Sequence, residues 1–192
     1  MSTLDADEGP PAAPALSAFG RIFTTWRRLR ERRAFRWALD IALVLAVFSA
    51  ISLWQGRNAL QGAAPSFVLQ TLQGSRVTSE SLRGKPAVLV FWAPWCGVCR
   101  AESGNVARVA SFVGDRAQVL SVASDYDNIE AIRAYVERHD VDYPVLLGGN
   151  ATARDFKVRA FPTHYFLDED GNIRHAVTGY TSTFGLWWRL FF

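Results

Sequence analysis

The chain has 192 residues, 49% of them apolar, with a formal net charge of +3 and two cysteines. This is room for one domain plus extra segments, with enough apolar content to build a core. Seven arginines lie between Arg21 and Arg36 against the single acid Glu31, and the rest of the chain is close to charge balance, which argues against a nucleic-acid-binding domain.

Residues 1–18 are rich in Ala, Pro, Ser and acids and read as a disordered tail. Together with the basic stretch they form a 1–36 segment ahead of an apolar run, residues 37–54. That run is short for a bilayer span, which takes roughly 17–25 residues. Trp37 and Trp54 stand at its ends, where aromatic belts sit, and Asp40 is its one charge. No polar face is visible between Ile41 and Leu53, which disfavours a buried helix of a soluble protein. No small-x-small cleavage site follows at once, which disfavours a removed signal peptide. The run therefore reads as a single-pass transmembrane anchor. The arginines before it place the N-terminus in the cytoplasm and everything after Trp54 on the far side.

Residues 55–64 read as a linker and 65–192 as the globular domain. Phe67–Leu72 alternates weakly, Gln73-Gly74-Ser75 is a turn, and Arg76–Thr78 is a short return strand. Ser79–Leu82 is one helical turn. Ala87–Trp92 is a continuous apolar run, as a strand buried on both faces requires. Val98–Val113 reads as a helix ending near Gly114, and Gln118–Ala123 as a second buried strand. Asn128–His139 is a helix with Ile129, Ile132, Tyr135 and Val136 on one face. Tyr143–Leu147 is short and apolar, and Ala151–Phe156 is a short helix. Thr163–Leu167 and Ile173–Gly179 form a hairpin about the Asp168–Gly171 turn, and Ser182–Phe192 is a terminal helix. The order is β-α-β-α-β, then a hairpin and a last helix. This makes an α/β fold with parallel strands, joined by crossovers, and an antiparallel edge.

Both cysteines fall in Trp95-Cys96-Gly97-Val98-Cys99, directly after the apolar strand. A strand running into a helix at that point sets Cys96 at a helix N-terminus, where unpaired N–H groups and the helix dipole favour a thiolate. Cys99 lies one turn along, close enough to form a disulfide. A purely structural disulfide across so small a loop would constrain little of the unfolded chain. Two thiolates could instead hold copper(I) or half a zinc site, but His139, His164 and His175 show no ligand spacing with them, so no metal site is assigned.

The domain resembles the thioredoxin-like superfamily, whose fold is a central mixed sheet flanked by helices, here with an N-terminal β-hairpin extension. The resemblance is to its membrane-anchored TlpA-like branch, which includes the ResA and DsbE types. The residues that carry it are Ala64-Pro65-Ser66-Phe67, Leu82-Arg83-Gly84-Lys85-Pro86, Val90-Phe91-Trp92-Ala93-Pro94-Trp95-Cys96, Phe161-Pro162-Thr163 and Asp168-x-x-Gly171-x-Ile173. Gly179-Tyr180-Thr181-Ser182-Thr183-Phe184-Gly185-Leu186 is similar to the ScsD-type disulfide oxidoreductases of copper-tolerance loci.

This resemblance implies a protein disulfide oxidoreductase with Cys96 as nucleophile and Cys99 as resolving cysteine, needing no added cofactor. It implies a cis Pro162, with Trp95, Phe161 and Thr163 shaping the substrate site. Phe161 is larger than the small or aliphatic residue of the pattern, and would narrow the groove or shield the sulfurs. Typical thioredoxins bury an aspartate six residues before the first cysteine, where this chain has Val90. TlpA-like proteins instead carry a glutamate matching Glu102, which could accept the proton of the resolving thiol or be simply a solvated helix residue. His164, beside Pro162, reads as a strand residue with a satisfied side chain or a group near the cysteines. Ala93 replaces the threonine expected of a peroxiredoxin, and the three-residue gap of Sco-type copper carriers is absent.

The implied partners are protein thiols and disulfides and a membrane electron donor of the DsbD or CcdA kind, with the domain in the periplasm on the inner membrane. The branch leans toward reduction, in cytochrome c maturation or copper tolerance. An oxidase, and a copper(I)-binding or metallochaperone module, are the rival readings. The aromatic C-terminal run either packs on the sheet or meets the membrane or a partner.

Overall fold

The computed structural model describes residues 62–192, together with Trp37, residues 39–43 and Ala46, which are helical. The 1–36 segment, most of the 37–54 span and most of the linker lie outside the described residues. Among the described residues no helix is long and apolar enough to cross a membrane.

A six-stranded sheet forms the centre of the 62–192 domain. Its strands are β1 (Gly62–Ala63), β4 (Ala87–Trp92), β5 (Gln118–Ala123), β6 (Val145–Leu147), β7 (Thr163–Leu167) and β8 (Asn172–Thr178), in the order β1-β8-β7-β4-β5-β6. β4, β5 and β6 run parallel, whereas β7 and β8 are antiparallel. The predicted mixed sheet is therefore present. β1 is an addition: Gly62 and Ala63, in the stretch read as linker, pair with Ile173 and Asn172.

The helices are α1 (Gly97–Val113), α2 (Ile129–Arg138), α3 (Gly149–Asp155) and α4 (Thr183–Phe191). Each of α1, α2 and α4 begins on a side-chain cap, from Cys96, Asn128 and Ser182 respectively, which satisfies an N–H that the first turn leaves without a partner. Ile129, predicted to face inward, is exposed, while Ile132 and Tyr135 are buried. The buried stripe of α2 therefore starts one turn later than the pattern predicts.

Side chains alternate across the central strands, giving the sheet two cores. Leu89 and Phe91 of β4 join Phe67, Leu120, Phe156 and Tyr165 on one face. Val88 and Val90 join Val106 and Val109 of α1 and Leu186 and Leu190 of α4 on the other. The remaining strands, β2 (Val68–Gln70) and β3 (Arg76–Thr78), make the predicted hairpin extension as a separate two-stranded sheet. It closes the exposed side of β6: Thr71 bridges Leu146, and the Leu72 N–H donates to the Val145 carbonyl at 2.8 Å.

The C-terminal run divides between its two readings. Leu186 and Leu190 are buried against the sheet, while Phe184, Trp188 and Phe192 are exposed and meet one another ring to ring.

Candidate active site

β4 ends at Trp92, and the chain turns through Ala93–Cys96 into α1. The Cys96 N–H donates to the Ala93 carbonyl at 3.0 Å, which closes the turn and sets Cys96 as the helix cap. Cys96 and Cys99 are joined by a disulfide, with Cα atoms 5.3 Å apart. The Cys99 N–H donates to Cys96 Sγ at 3.1 Å. The sulfur thus occupies the place a capping oxygen would take, at the positive end of the helix dipole. No acid lies in the first turn. The Arg100 guanidinium reaches back over Gly97, to 3.6 Å from where a Cβ would stand on that glycine. Backbone N–H and helix dipole both favour the Cys96 thiolate once the disulfide is reduced.

The sulfurs sit in a half-closed pit. Cys96 and Cys99 are each only 4% exposed, whereas Trp95 is 63% exposed. The Trp95 indole N–H donates to the main-chain oxygen of Asp125 at 3.1 Å and to its carboxylate at 3.0 Å. Asp125 holds this double contact from a left-handed backbone, φ 49°, which a short polar side chain tolerates. The Phe161 ring stands edge-on to Trp95 at 5.9 Å and packs against the apolar cluster containing both cysteines. Trp95 and Phe161 therefore meet at the edge of the apolar cluster that contains both cysteines.

The Phe161–Pro162 peptide bond is cis, as the resemblance implies. The Pro162 carbonyl accepts from the Gly179 N–H at 2.8 Å, tying the loop to the end of β8. Thr163 is 4% exposed. Its hydroxyl donates to the Ala160 carbonyl at 2.8 Å and lies 3.0 Å from that of Thr178, so this side chain is engaged within the fold.

Glu102 is 1% exposed, which overturns the solvated reading. Three residues beyond Cys99 on one helix, the two lie on a shared face. Its Oε1 accepts from the Thr181 N–H at 2.6 Å and lies 3.0 Å from Nε2 of His164, itself fully buried. That second contact is a close approach and not an aligned hydrogen bond, and His164 Nε2 has no other partner among the described residues.

One turn on, the Asn105 amide donates to the Tyr180 hydroxyl at 2.9 Å and the Thr181 carbonyl at 3.0 Å, and its oxygen accepts from Thr183 and Arg108. The 179–183 segment is thus clamped onto α1 by Glu102 and Asn105. Tyr135 and Tyr143, which sense the Glu102 charge, have their hydroxyls pushed up, Tyr135 to about 12, with burial the main cause.

The structure therefore brings Trp95, Cys96, Cys99 and Phe161 into one rim and pit, and turns Glu102 toward His164 and Thr181. Sequence reasoning missed the Asp125 grip on Trp95 and the pairing of His164 with Glu102. The available signal for the second was the position of His164 beside Pro162. Among the described residues no cluster of three or more His, Cys, Asp or Glu is placed to hold a metal ion.

The AhpC/TSA family profile matches residues 60–176. The chain belongs to the AhpC/TSA family. It is similar to the thiol:disulfide interchange protein DsbE of Pseudomonas aeruginosa, 32% identical, the match covering 73% of this chain and 81% of the relative. It is also similar to the thiol-disulfide oxidoreductase ResA of Bacillus cereus, 27% identical over 78% of this chain and 90% of the relative. A solved structure of a secreted Mycobacterium tuberculosis disulfide oxidoreductase, described as homologous to E. coli DsbE, superposes with a TM-score of 0.58. It is 28% identical, and the match covers 65% of this chain and 93% of that one. This AhpC/TSA-family chain is a thiol–disulfide oxidoreductase of the ResA/DsbE type.

Proposed function

We propose that this protein is a membrane-anchored, exported reductase that opens disulfides in protein substrates. Residues 37–54 serve as anchor, the domain lies in the periplasm, and a donor of the DsbD or CcdA kind returns electrons to it. The observation that carries the chemistry is Cys96 as the cap of α1, its sulfur accepting the Cys99 N–H. The anchor reading is supported by Trp37, Leu39, Ile41 and Leu43, apolar residues exposed on a helical stretch. Export is supported by the likeness to a secreted oxidoreductase. The ResA and DsbE likenesses support reduction, with apocytochrome c or a copper-handling protein as the client class.

In this reaction the Cys96 thiolate attacks one sulfur of a substrate disulfide and that bond breaks. A mixed disulfide forms, and the released thiolate takes a proton from solvent. Cys99 then loses its proton and attacks Cys96 Sγ. The Cys96–Cys99 bond forms, the bond to substrate breaks, and the substrate leaves as a second thiolate. The substrate gains two electrons and the cysteine pair loses two. No cofactor enters these steps.

Alkylation trapping of the full-length protein in cells is the test. A reductase is found as the dithiol at steady state and becomes oxidised when the donor is removed. A pair that stays oxidised in both conditions identifies an oxidase. Protease treatment of right-side-out membrane vesicles tests the topology: the domain should be digested and residues 1–36 protected. Exchange activity that survives Cys96→Ser, with tight copper(I) binding by the reduced chain, would favour the metallochaperone reading.

A further inference from the structure

We infer that His164 is a positioning residue of the exchange reaction, acting through Glu102: it holds a proton against the buried carboxylate, so that Cys99 faces a neutral pair instead of an uncompensated negative charge. The inference rests on Cys96 and Cys99 being the exchanging pair, and is independent of the direction of electron flow.

His164 Nδ1 lies 3.2 Å from the Val177 carbonyl. A main-chain carbonyl only accepts, so Nδ1 carries a hydrogen. Nε2 then decides the charge of the ring. It stands 3.0 Å from Glu102 Oε1, with both residues at most 1% exposed. The Thr181 N–H enters the same oxygen at 2.6 Å, an interaction that stabilises the ionised carboxylate. An unprotonated Nε2 would press a lone pair toward that anion where water cannot intervene. A protonated Nε2 sets opposite charges in contact, the arrangement a buried charge requires.

Among the described residues no other neighbour supplies this compensation. On α1, Arg108 is engaged with Asn105 and Thr183, and Arg100 leans over Gly97. From α2 and the segment before β6 come Tyr135 and Tyr143, whose raised hydroxyls stay neutral, and Asp142, a further acid. β8 offers a main-chain carbonyl at Val177 and, two residues back, the exposed His175. The 179–183 segment offers Tyr180, which accepts from Asn105. β4 places Val90 directly opposite His164, and α4 contributes Leu186 to this face and carries Arg189, whose Nη1 donates to the Gly185 carbonyl. Cys99, one turn before Glu102, is the group whose ionisation the pair governs.

The test uses the full-length reduced protein in detergent. The alkylation rate at Cys99 is followed against pH, site-resolved by mass spectrometry, in the unaltered protein, His164→Gln, Glu102→Gln and the double variant. Glutamine keeps an N–H and loses the charge. His164→Gln should move the Cys99 profile up by about one pH unit, within the range that a nearby like charge produces. The same substitution in the Glu102→Gln background should move it no further. An unshifted profile, or an equal shift in both backgrounds, overturns the inference.

If His164→Gln fails to fold by near-ultraviolet circular dichroism, nitrogen-15 NMR of the unaltered protein decides. Both ring nitrogens of His164 should be protonated at pH 8, where a free histidine is neutral; a neutral ring overturns the inference. Exchange that persists in Cys96→Ser would instead refute the exchange reading on which it rests, whereas loss of exchange there with an unshifted His164→Gln profile refutes only the role of His164.

Discussion

The first turn of α1 and the second are built on opposite plans. The first, from Cys96 to Arg100, leaves its chemistry at a rim: the helix N-terminus and the Cys99 N–H act on the Cys96 sulfur, next to the exposed Trp95. The second, from Glu102 to Asn105, buries its acid and its amide, which bind the chain at residues 180–183, with His164 beside the carboxylate. The difference teaches a division of labour along one helix. Reactivity is set by groups that act at the open end, and the geometry of that end is held by a polar cluster that water does not reach.

The largest expected effect breaks the first turn alone. Cys96→Ser should reduce insulin-disulfide turnover to the uncatalysed background while thermal unfolding stays within a few degrees of the unaltered protein. Cys99→Ser should instead accumulate a mixed disulfide, visible by non-reducing electrophoresis. Leu190→Ala tests the support beneath both turns. It removes a buried side chain from the core shared by α1 and α4 and should cost about 2–5 kcal/mol in denaturant unfolding.

Asn105→Ala tests the second turn, stranding the Thr181 carbonyl and Tyr180 hydroxyl at a cost of about 1–3 kcal/mol, with exchange retained per folded molecule. Trp95→Phe acts on the rim. It keeps a ring beside Phe161 but removes the donor to Asp125, and should raise KM for a protein substrate severalfold with little change in stability.

The smallest effect lies far from both turns. The Asp168 carboxylate accepts the N–H of Asn172 and then that of Asp170, which hold its pKa below the usual carboxylate value. Its folded value being depressed, its stabilisation is complete above the unfolded value of about 3.9 and is lost as pH falls through the folded one. Asp168→Asn should lower Tm slightly at neutral pH, and the gap should close in acid.

Local pattern made much of this legible. A six-residue apolar run announces β4, the Cys-x-x-Cys after it announces the start of α1, and Asp168-x-x-Gly171 announces the hairpin, because each is a short-range consequence of side-chain type. β1 was not legible: glycine and alanine carry no strand pattern, and the strand exists through main-chain pairing with Asn172 and Ile173. Glu102 was placed on the right helix face, but its burial comes from a segment 79 residues away. His164 was seen as a strand histidine, yet its partner is set by the register of β7 against β4 and by the seat of α1 on the sheet. The Asp125–Trp95 contact likewise depends on how the loop after β5 reaches across to the rim.

The clamp of the 179–183 segment on α1 also carries a consequence for the order in which the molecule is made. Glu102 and Asn105 obtain their partners in the 180–183 segment from residues 75 to 79 positions later, so the helix bearing the cysteines leaves the ribosome long before its acid can be shielded. Such distant contacts close slowly. A chain cut short before Thr181 would still present Cys96 and Cys99, but with a carboxylate lacking the Thr181 N–H, and the last dozen residues thus act as the completion mark of a finished redox centre.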